Sequence, residues 1–255
     1  MSRIVNRLKV WAESRPDKVA LRIDGQVITY QSLYEAILSI PFAPQWIQET
    51  TLWEQLIKWL AGLKENTYPV IGHRTLPIKA EKELQGVIAD SRVESADFGV
   101  LTSGTTGLPK VHWRREDSWV DYFPIQNKIF SITEETILFQ HGSLSFTGNL
   151  NMLLGVLWAG GTIVTTDHMS VKRWLQDCKT YAVSHIYVLP TKMQLILRYS
   201  KQEPYPGIQT VIAGSQTPTL AMMRRMRQVF PNMKYILYYG AAELNYISYC
   251  TYEEW

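Results

Sequence analysis

Apolar and polar positions along this chain switch repeatedly between a period of two and a period near 3.6, setting out short strands separated by helices. Near the start, Ile4, Leu8 and Trp11 fall on one face of a helix over residues 3–13. Residues 19–23 and 27–30 are apolar-rich runs divided by Asp24-Gly25, the pattern of a β-hairpin. Thr29 stands where it can cap a helix over 31–40, which Pro41 ends. Residues 53–63 predict another helix closing near Gly62, 68–71 a short strand and 79–90 a further helix.

From residue 98 onward the alternation becomes regular. Strands are predicted at 98–101, 137–140, 162–165, 185–189, 208–213 and 235–239, with a last strand-like piece at 245–251. Helices are predicted at 147–158, 171–181, 191–199 and 219–229. Strands separated by helices of about ten residues or more make parallel crossovers, so the expected fold class is α/β with a mainly parallel sheet. There is no internal repeat and no obvious linker. Residues 1–95 are expected to form an N-terminal subregion with antiparallel pairing, and 96–255 an α/β subregion.

Composition narrows the function classes. At 255 residues with 46% hydrophobic positions, the chain can bury a sizeable core. The formal charge of +3 comes from mixed signs. The one basic cluster, Arg224, Arg225 and Arg227 with Lys234 nearby, reads as the solvated face of a helix, so no nucleic-acid partner is expected. Cys178 and Cys250 are the only cysteines and lack ligand spacing. No secretory signal opens the chain, so a cytoplasmic location is expected. Residues 150–159 are too short to span a bilayer and read as a buried helix.

The chemistry concentrates at 101–110, LTSGTTGLPK. Gly104 and Gly107 let the backbone turn tightly against an anion. Thr102, Ser103, Thr105 and Thr106 supply hydroxyls, successive N–H groups can form an anion-binding concavity, and Lys110 adds positive charge. The order differs from the P-loop signature, which ends in Gly-Lys-Ser/Thr. An isolated Gly-x-x-Gly is usually an ordinary turn. Here the density of glycines and hydroxyls directly after a strand, where open α/β sheets bind ligands, favours a phosphate loop.

Two later segments have similar placement. Gly214, Ser215 and Gln216 follow a strand and suit either close approach of a flat ring or a plain strand-to-helix turn with Pro218 in the first helical turn. Tyr239 and Gly240 end another strand, and the carboxylate of Glu243 is placed to hold a hard cation near phosphates. His141 follows a strand and is either a pocket residue or an ordinary satisfied histidine. The remaining histidines show no zinc-like grouping. Ser103 is not in a G-x-S-x-G elbow, so serine-hydrolase chemistry is not indicated. Arg114 and Arg115 stand where they could touch phosphate, with surface placement the favoured reading.

Taken in order, these segments resemble the adenylate-forming enzymes: acyl-CoA synthetases, aryl-acid ligases and nonribosomal-peptide adenylation domains. WAESRPDKVALRIDGQVITYQSLYEAI is similar to their opening, LTSGTTGLPK to their phosphate loop, and HG, AGSQTP and YYGAAE follow in the family's order. The resemblance implies an acyl-CoA-synthetase-like large domain and attack of a carboxylate on the α-phosphate of ATP, giving acyl-AMP and pyrophosphate. It implies catalytic roles for Lys110, Thr102 and Glu243, with Glu243 holding Mg2+. It places Thr102, Ser103, Gly104, Thr105, Thr106, Gly107 and Lys110 on the phosphates. Gly214, Ser215, Gln216, Tyr239 and Gly240 would lie around adenine, and His141 beside the acyl pocket.

Val111 and Ala242 depart from the family pattern; the second removes a hydroxyl and is expected to weaken ATP handling. The family's ribose-binding Asp, hinge and mobile carboxy-terminal domain have no counterpart before Trp255. The expectation is therefore acid activation that is impaired or depends on a complementary carboxy-terminal polypeptide. The alternative is a noncatalytic nucleotide- or acyl-binding scaffold. CoA or a carrier protein as acceptor stays open, as does the acid itself.

Overall fold

Two sheets wrapped by helices carry the predicted alternation. The computed structural model describes residues 2–91, 95–102, 109–201, 203–214 and 217–251. The expected phosphate-loop residues Ser103, Gly104, Thr105, Thr106 and Gly107, and Ser215 and Gln216 beside the expected adenine position, lie outside the described residues.

The chain begins with α1 (Arg3–Ser14), the hairpin β1 (Val19–Ile23) and β2 (Gln26–Thr29), and α2 (Tyr30–Ser39). Next come β3 (Trp46–Ile47), α3 (Leu52–Glu65), β4 (Val70–Ile71) and α4 (Ile78–Asp90). β5 (Phe98–Thr102) and β6 (Lys110–Arg114) flank the expected phosphate loop. Two short helices, α5 (Asp117–Val120) and α6 (Phe123–Phe130), precede β7 (Ile137–Gln140). The regular part is α7 (Thr147–Ala159), β8 (Thr162–Thr165), α8 (Val171–Thr180), β9 (His185–Tyr187), α9 (Pro190–Tyr199), β10 (Thr210–Ala213) and α10 (Leu220–Val229). The hairpin β11 (Lys234–Ala241) and β12 (Asn245–Thr251) follows.

Local chemistry accounts for many of these boundaries. Ser2, Thr29, Thr51 and Thr219 each accept a backbone N–H at a helix start, as N-caps do. Asp24 and Gly25 both have positive φ (52° and 88°), the requirement of a two-residue hairpin turn matched to strand twist. Sequence periodicity missed β3, β6, α5 and α6. β3 is only two residues long. β6, Lys-Val-His-Trp-Arg, is amphipathic in a way that reads as an extension of the loop before it.

The larger sheet has eight strands in the order β12-β11-β10-β9-β7-β8-β1-β2. Pairing is parallel from β11 through β1 and antiparallel only at the two edge hairpins. The smaller sheet runs β3-β4-β5-β6, parallel except for the β5–β6 hairpin. Antiparallel pairing thus occurs in the N-terminal hairpin, as expected, and also around the phosphate loop and at the β11–β12 edge.

The pleat of the large sheet sorts its side chains between two cores. Leu138, Ile163, Ile212 and Ile236 face α1, α2, α3, α6 and α7, while their neighbours Phe139, Val164, Val211 and Tyr235 face α8, α9 and α10. The first core also takes Phe98 and Val100 of the small sheet, so residues from both sides of position 95 share it. At its centre Trp59, Phe98 and Trp119 pack with ring centroids 4.7–6.4 Å apart, joining α3, β5 and α5. The Glu116 carboxylate, buried before α5, accepts from the backbone N–H groups of Arg3 and Ile4 and from the Ser2 hydroxyl. A negative charge at the start of α1 opposes its dipole favourably.

Helix α7 is apolar nearly all round and is the buried axis of the first core. Its Gly148 allows close approach to the sheet: a Cβ there would lie 2.4 Å from the Tyr187 hydroxyl and 3.1 Å from that of Tyr238. Replacing a helical glycine by alanine normally stabilises by about 0.5–1 kcal/mol. Gly148→Ala is expected instead to destabilise by about 1–3 kcal/mol, because the added methyl overpacks two buried rings; urea unfolding gives the sign directly.

His185 lies inside the large sheet, 3% exposed, sharing a hydrogen bond with the Ser184 hydroxyl and donating through Nε2 to the Ser131 carbonyl. Burial pulls its pKa from 6.5 down to about 4. The unfolded chain takes up this proton below 6.5 and the folded chain does not, so the stabilisation is complete above that pH and lost as pH falls toward 4. At about 1.4 kcal/mol per unit the loss amounts to at most about 3 kcal/mol. Urea midpoints measured from pH 7 to pH 4.5 should fall with a slope that His185→Gln reduces.

Candidate functional site

A cavity of about 210 Å3 opens at the carboxyl ends of β7, β9 and β11, against the amino end of α7. This is where open α/β sheets place ligands, since the parallel strands deliver their loops to one edge. Gly142 and Gly148 floor one side, Leu189 comes from the β9–α9 connection and Lys192 from the first turn of α9, and Tyr238, Gly240 and Tyr246 come from the edge hairpin.

Lys192 is the only charged side chain lining the cavity among the described residues. Its ammonium donates to the His141 carbonyl at 2.6 Å, and partial burial lowers its pKa. Gly142, at φ +131°, makes room for it: a Cβ would lie 3.0 Å from Lys192 Nζ and 2.7 Å from Asn149 Nδ2. The family resemblance implied a place for His141 beside the acyl pocket. Its backbone carbonyl turns toward Lys192, but its imidazole lies 4.3 Å from the Trp174 ring centroid, and it is Gly142 that reaches the cavity lining. Burial, then the Lys192 charge, bring the His141 pKa down to about 4, so the ring is neutral at pH 7.

Aromatic residues form the far wall. The Tyr187 and Tyr238 hydroxyls are 2.7 Å apart, and Tyr246 meets Tyr238 edge-on at 4.5 Å. Gly214 makes this possible, because a Cβ there would lie 2.6 Å from the Tyr238 ring. Strand alternation sends Tyr238 inward and leaves the expected adenine neighbour Tyr239 65% exposed. Gly240 packs against the backbone of β12, where a Cβ would be 2.5 Å from the Asn245 carbonyl.

The two hairpins at the site are bolted together. Thr102 and Lys110 pair directly across β5 and β6, closing the base of the expected phosphate loop. In β6, His112 Nε2 lies 3.4 Å from the Glu243 carboxylate, bringing the expected magnesium ligand over this hairpin. Arg114 donates to the Ala242 carbonyl, to Asn245 Oδ1 at 3.0 Å and to Ser118 Oγ at 2.9 Å. The sequence put Arg114 on the surface; it is 8% exposed, because β6 aims it under the β11–β12 turn. Burial lowers its pKa, against the raising influence of Glu243. Arg115, by contrast, is exposed and pairs with Asp117 at 2.7 Å. No group of three or more His, Cys, Asp or Glu side chains that could hold a metal occurs among the described residues. Glu243 alone suits a magnesium ion that takes its remaining oxygens from phosphate and water.

Several polar atoms of the cavity lining make no hydrogen bond among the described residues: both amide atoms of Asn151, Thr147 Oγ1 and the Tyr246 hydroxyl. Gln126, on α6 behind them, is in the same state. Each such group carries a desolvation penalty of about 1–3 kcal/mol while unpaired. No local pattern marks Asn151 or Lys192, since each sits in a segment otherwise readable as helix packing.

Among curated proteins, the chain is 24% identical over 291 residues to the "Putative long chain fatty acid-CoA ligase VraA" of Staphylococcus aureus (strain COL), spanning 98% of this chain and 61% of that protein. It is 26% identical over 157 residues to the "Uncharacterized acyl--CoA ligase YhfT" of Bacillus subtilis (strain 168), spanning 60% of this chain and 32% of that one. Its fold is that of O-succinylbenzoate coenzyme A synthetase from Bacillus subtilis. The AMP complex of that enzyme superposes with a TM-score of 0.83 at 17% identity, over 97% of this chain and 61% of that one. The complex with ATP and magnesium gives 0.79 at 17%, over 97% and 62%. The chain therefore spans less than two thirds of these relatives' length. Residues 68–255 match the family described as AMP-binding enzyme, and the chain belongs to that family.

Proposed function

We propose that this chain binds ATP and a carboxylic acid and activates the acid as an acyl-adenylate. The observation that carries this reading is the cavity with Lys192 as its one charged lining group among the described residues, placed beside the hairpin that closes the expected phosphate loop. A cation in an otherwise uncharged, half-buried pocket favours an anionic ligand, because the carboxylate offsets a charge already removed from water. The structural neighbours include complexes of O-succinylbenzoate coenzyme A synthetase with ATP and magnesium and with its acyl-adenylate, which supports the same kinds of ligand here.

In this scheme a carboxylate oxygen attacks the α-phosphorus of ATP. The new oxygen–phosphorus bond forms as the bond to pyrophosphate breaks, and no proton moves. Thr102, Ser103, Gly104, Thr105, Thr106, Gly107 and Lys110 hold the phosphates. Gly214, Ser215, Gln216, Tyr239 and Gly240 lie around the base. Glu243 would hold Mg2+, which would supply positive charge to offset that of the leaving pyrophosphate. Lys192 and the Gly142 backbone orient the acid, with His141 behind them as a neutral support. Arg114 sets the height of the Glu243 turn through the Ala242 carbonyl, so the missing hydroxyl at Ala242 removes a side-chain contact without removing this clamp. Delivery to CoA or a carrier protein, with or without a complementary carboxy-terminal polypeptide, belongs to the same proposal, as does a cytoplasmic location.

Calorimetry with Mg2+ and ATP tests the nucleotide half. Saturable binding is expected, weakened about tenfold or more by Lys110→Ala and by Glu243→Ala, as for loss of a charge-assisted contact. Lys192→Met should leave ATP binding unchanged while weakening acid binding by a similar factor. Folded protein that binds no nucleotide would overturn the reading.

A further inference from the structure

We infer that the cavity selects an acid carrying a hydrogen-bonding group remote from its carboxylate, read by the side-chain amide of Asn151. This rests on the acid-activation reading and adds the class of acid. Helix α7 is otherwise a run of buried Leu, Met and Val, and two asparagines interrupt it on the cavity side. They differ in one respect. Asn149 is committed to the fold, its Nδ2 donating to the Ser143 carbonyl at 3.0 Å. Asn151 is 4% exposed and lines the cavity, yet neither its Oδ1 nor its Nδ2 has a partner among the described residues.

A leucine at this position would satisfy the helix and suit an aliphatic acid. The amide instead presents one donor and one acceptor, and the unpartnered Tyr246 hydroxyl on the same lining adds a third polar atom. Tyr246 cannot easily turn away, because its ring is wedged between Tyr238 at 4.5 Å and Phe130 at 5.2 Å. A hydroxyl, carbonyl or amide on the acid would pair these groups; a methyl would leave them buried and unpaired. Size narrows the class further. A cavity of about 150 Å3 holds benzene, so about 210 Å3 admits one substituted ring or a short substituted chain.

The test uses matched acids with Mg2+ and ATP present: hydroxybenzoates against methylbenzoates, and short aliphatic acids ending in hydroxyl against those ending in methyl. Dissociation constants are read by calorimetry on the unaltered chain, Asn151→Leu and Asn151→Thr, with ATP affinity and melting temperature as folding controls. At least one hydroxyl acid should bind about tenfold or more tightly than its methyl partner. Asn151→Leu should abolish or reverse that preference, and Asn151→Thr, keeping one hydroxyl, should retain part of it. Equal binding of both series, or a preference that survives Asn151→Leu, would overturn the inference while leaving acid activation standing. ATP binding without binding of any acid would overturn both.

Discussion

Helix α7 is buried at every position from Asn149 to Leu157, and the geometry of the candidate site follows from that constraint. A helix buried on every side cannot shift without opening a void, so its position is fixed by the closest approaches it makes. Gly148 sets the distance to the Tyr187–Tyr238 pair, and Gly155 the distance to α6, where a Cβ would lie 2.5 Å from Gln126. With α7 fixed at these points, its amino end becomes the floor of the cavity. The loop after β7 is tied to the same frame: Gln55 of α3 accepts from the Ser143 hydroxyl and the Leu144 N–H, and Asn149 holds the Ser143 carbonyl. The backbone that carries His141 and Gly142 is therefore tied by buried and half-buried hydrogen bonds to both α3 and α7.

The electrostatics of the cavity are sparse, and this gives one charge its weight. His141 is held neutral by burial and by the nearby ammonium, and the tyrosines around Tyr238 are pushed further toward their neutral forms by burial. Among the described residues, what is left is Lys192 at the edge of an otherwise uncharged, partly desolvated space. Such a charge interacts more strongly with an incoming anion than a surface lysine does, because less water screens it. The cavity is thus matched in sign to a carboxylate or phosphate and discriminates little by charge beyond that. Finer discrimination has to come from the unpaired polar atoms at the floor.

How much of this was legible in the sequence depends on the length scale of the signal. The α/β class follows from periodicity within single segments, and residues 137–140, 162–165 and 245–251 appear as strands at the positions expected. The phosphate-loop segment stands out because its glycines, hydroxyls and lysine are adjacent in the chain. Lys192, Asn151 and Tyr238 stand out only in three dimensions. Lys192 reads as an ordinary helical lysine until the His141 carbonyl, 51 residues away in sequence, is seen beside it. Tyr238 and Tyr239 are the same residue type side by side, and only the pleat, fixed by pairing with both β10 and β12, decides which one faces the cavity. Arg114 was misread for a related reason: its partners Ala242 and Asn245 lie more than a hundred residues downstream, so no local pattern marks it as buried.

That long-range clamp changes the meaning of a local departure. Judged from the motif alone, Ala242 is a lost hydroxyl. In the fold its backbone carbonyl accepts from Arg114, while the Asn245 side chain accepts from the same guanidinium and donates to the Ser118 carbonyl. The turn bearing Glu243 is therefore held by main-chain and guanidinium chemistry that does not depend on the residue type at 242. Glu243 in turn faces His112 on the strand that begins at Lys110. The carboxylate and lysine expected to share the triphosphate are carried by two hairpins joined through one buried arginine, so their relative placement is a property of the folded scaffold, set before any ligand arrives.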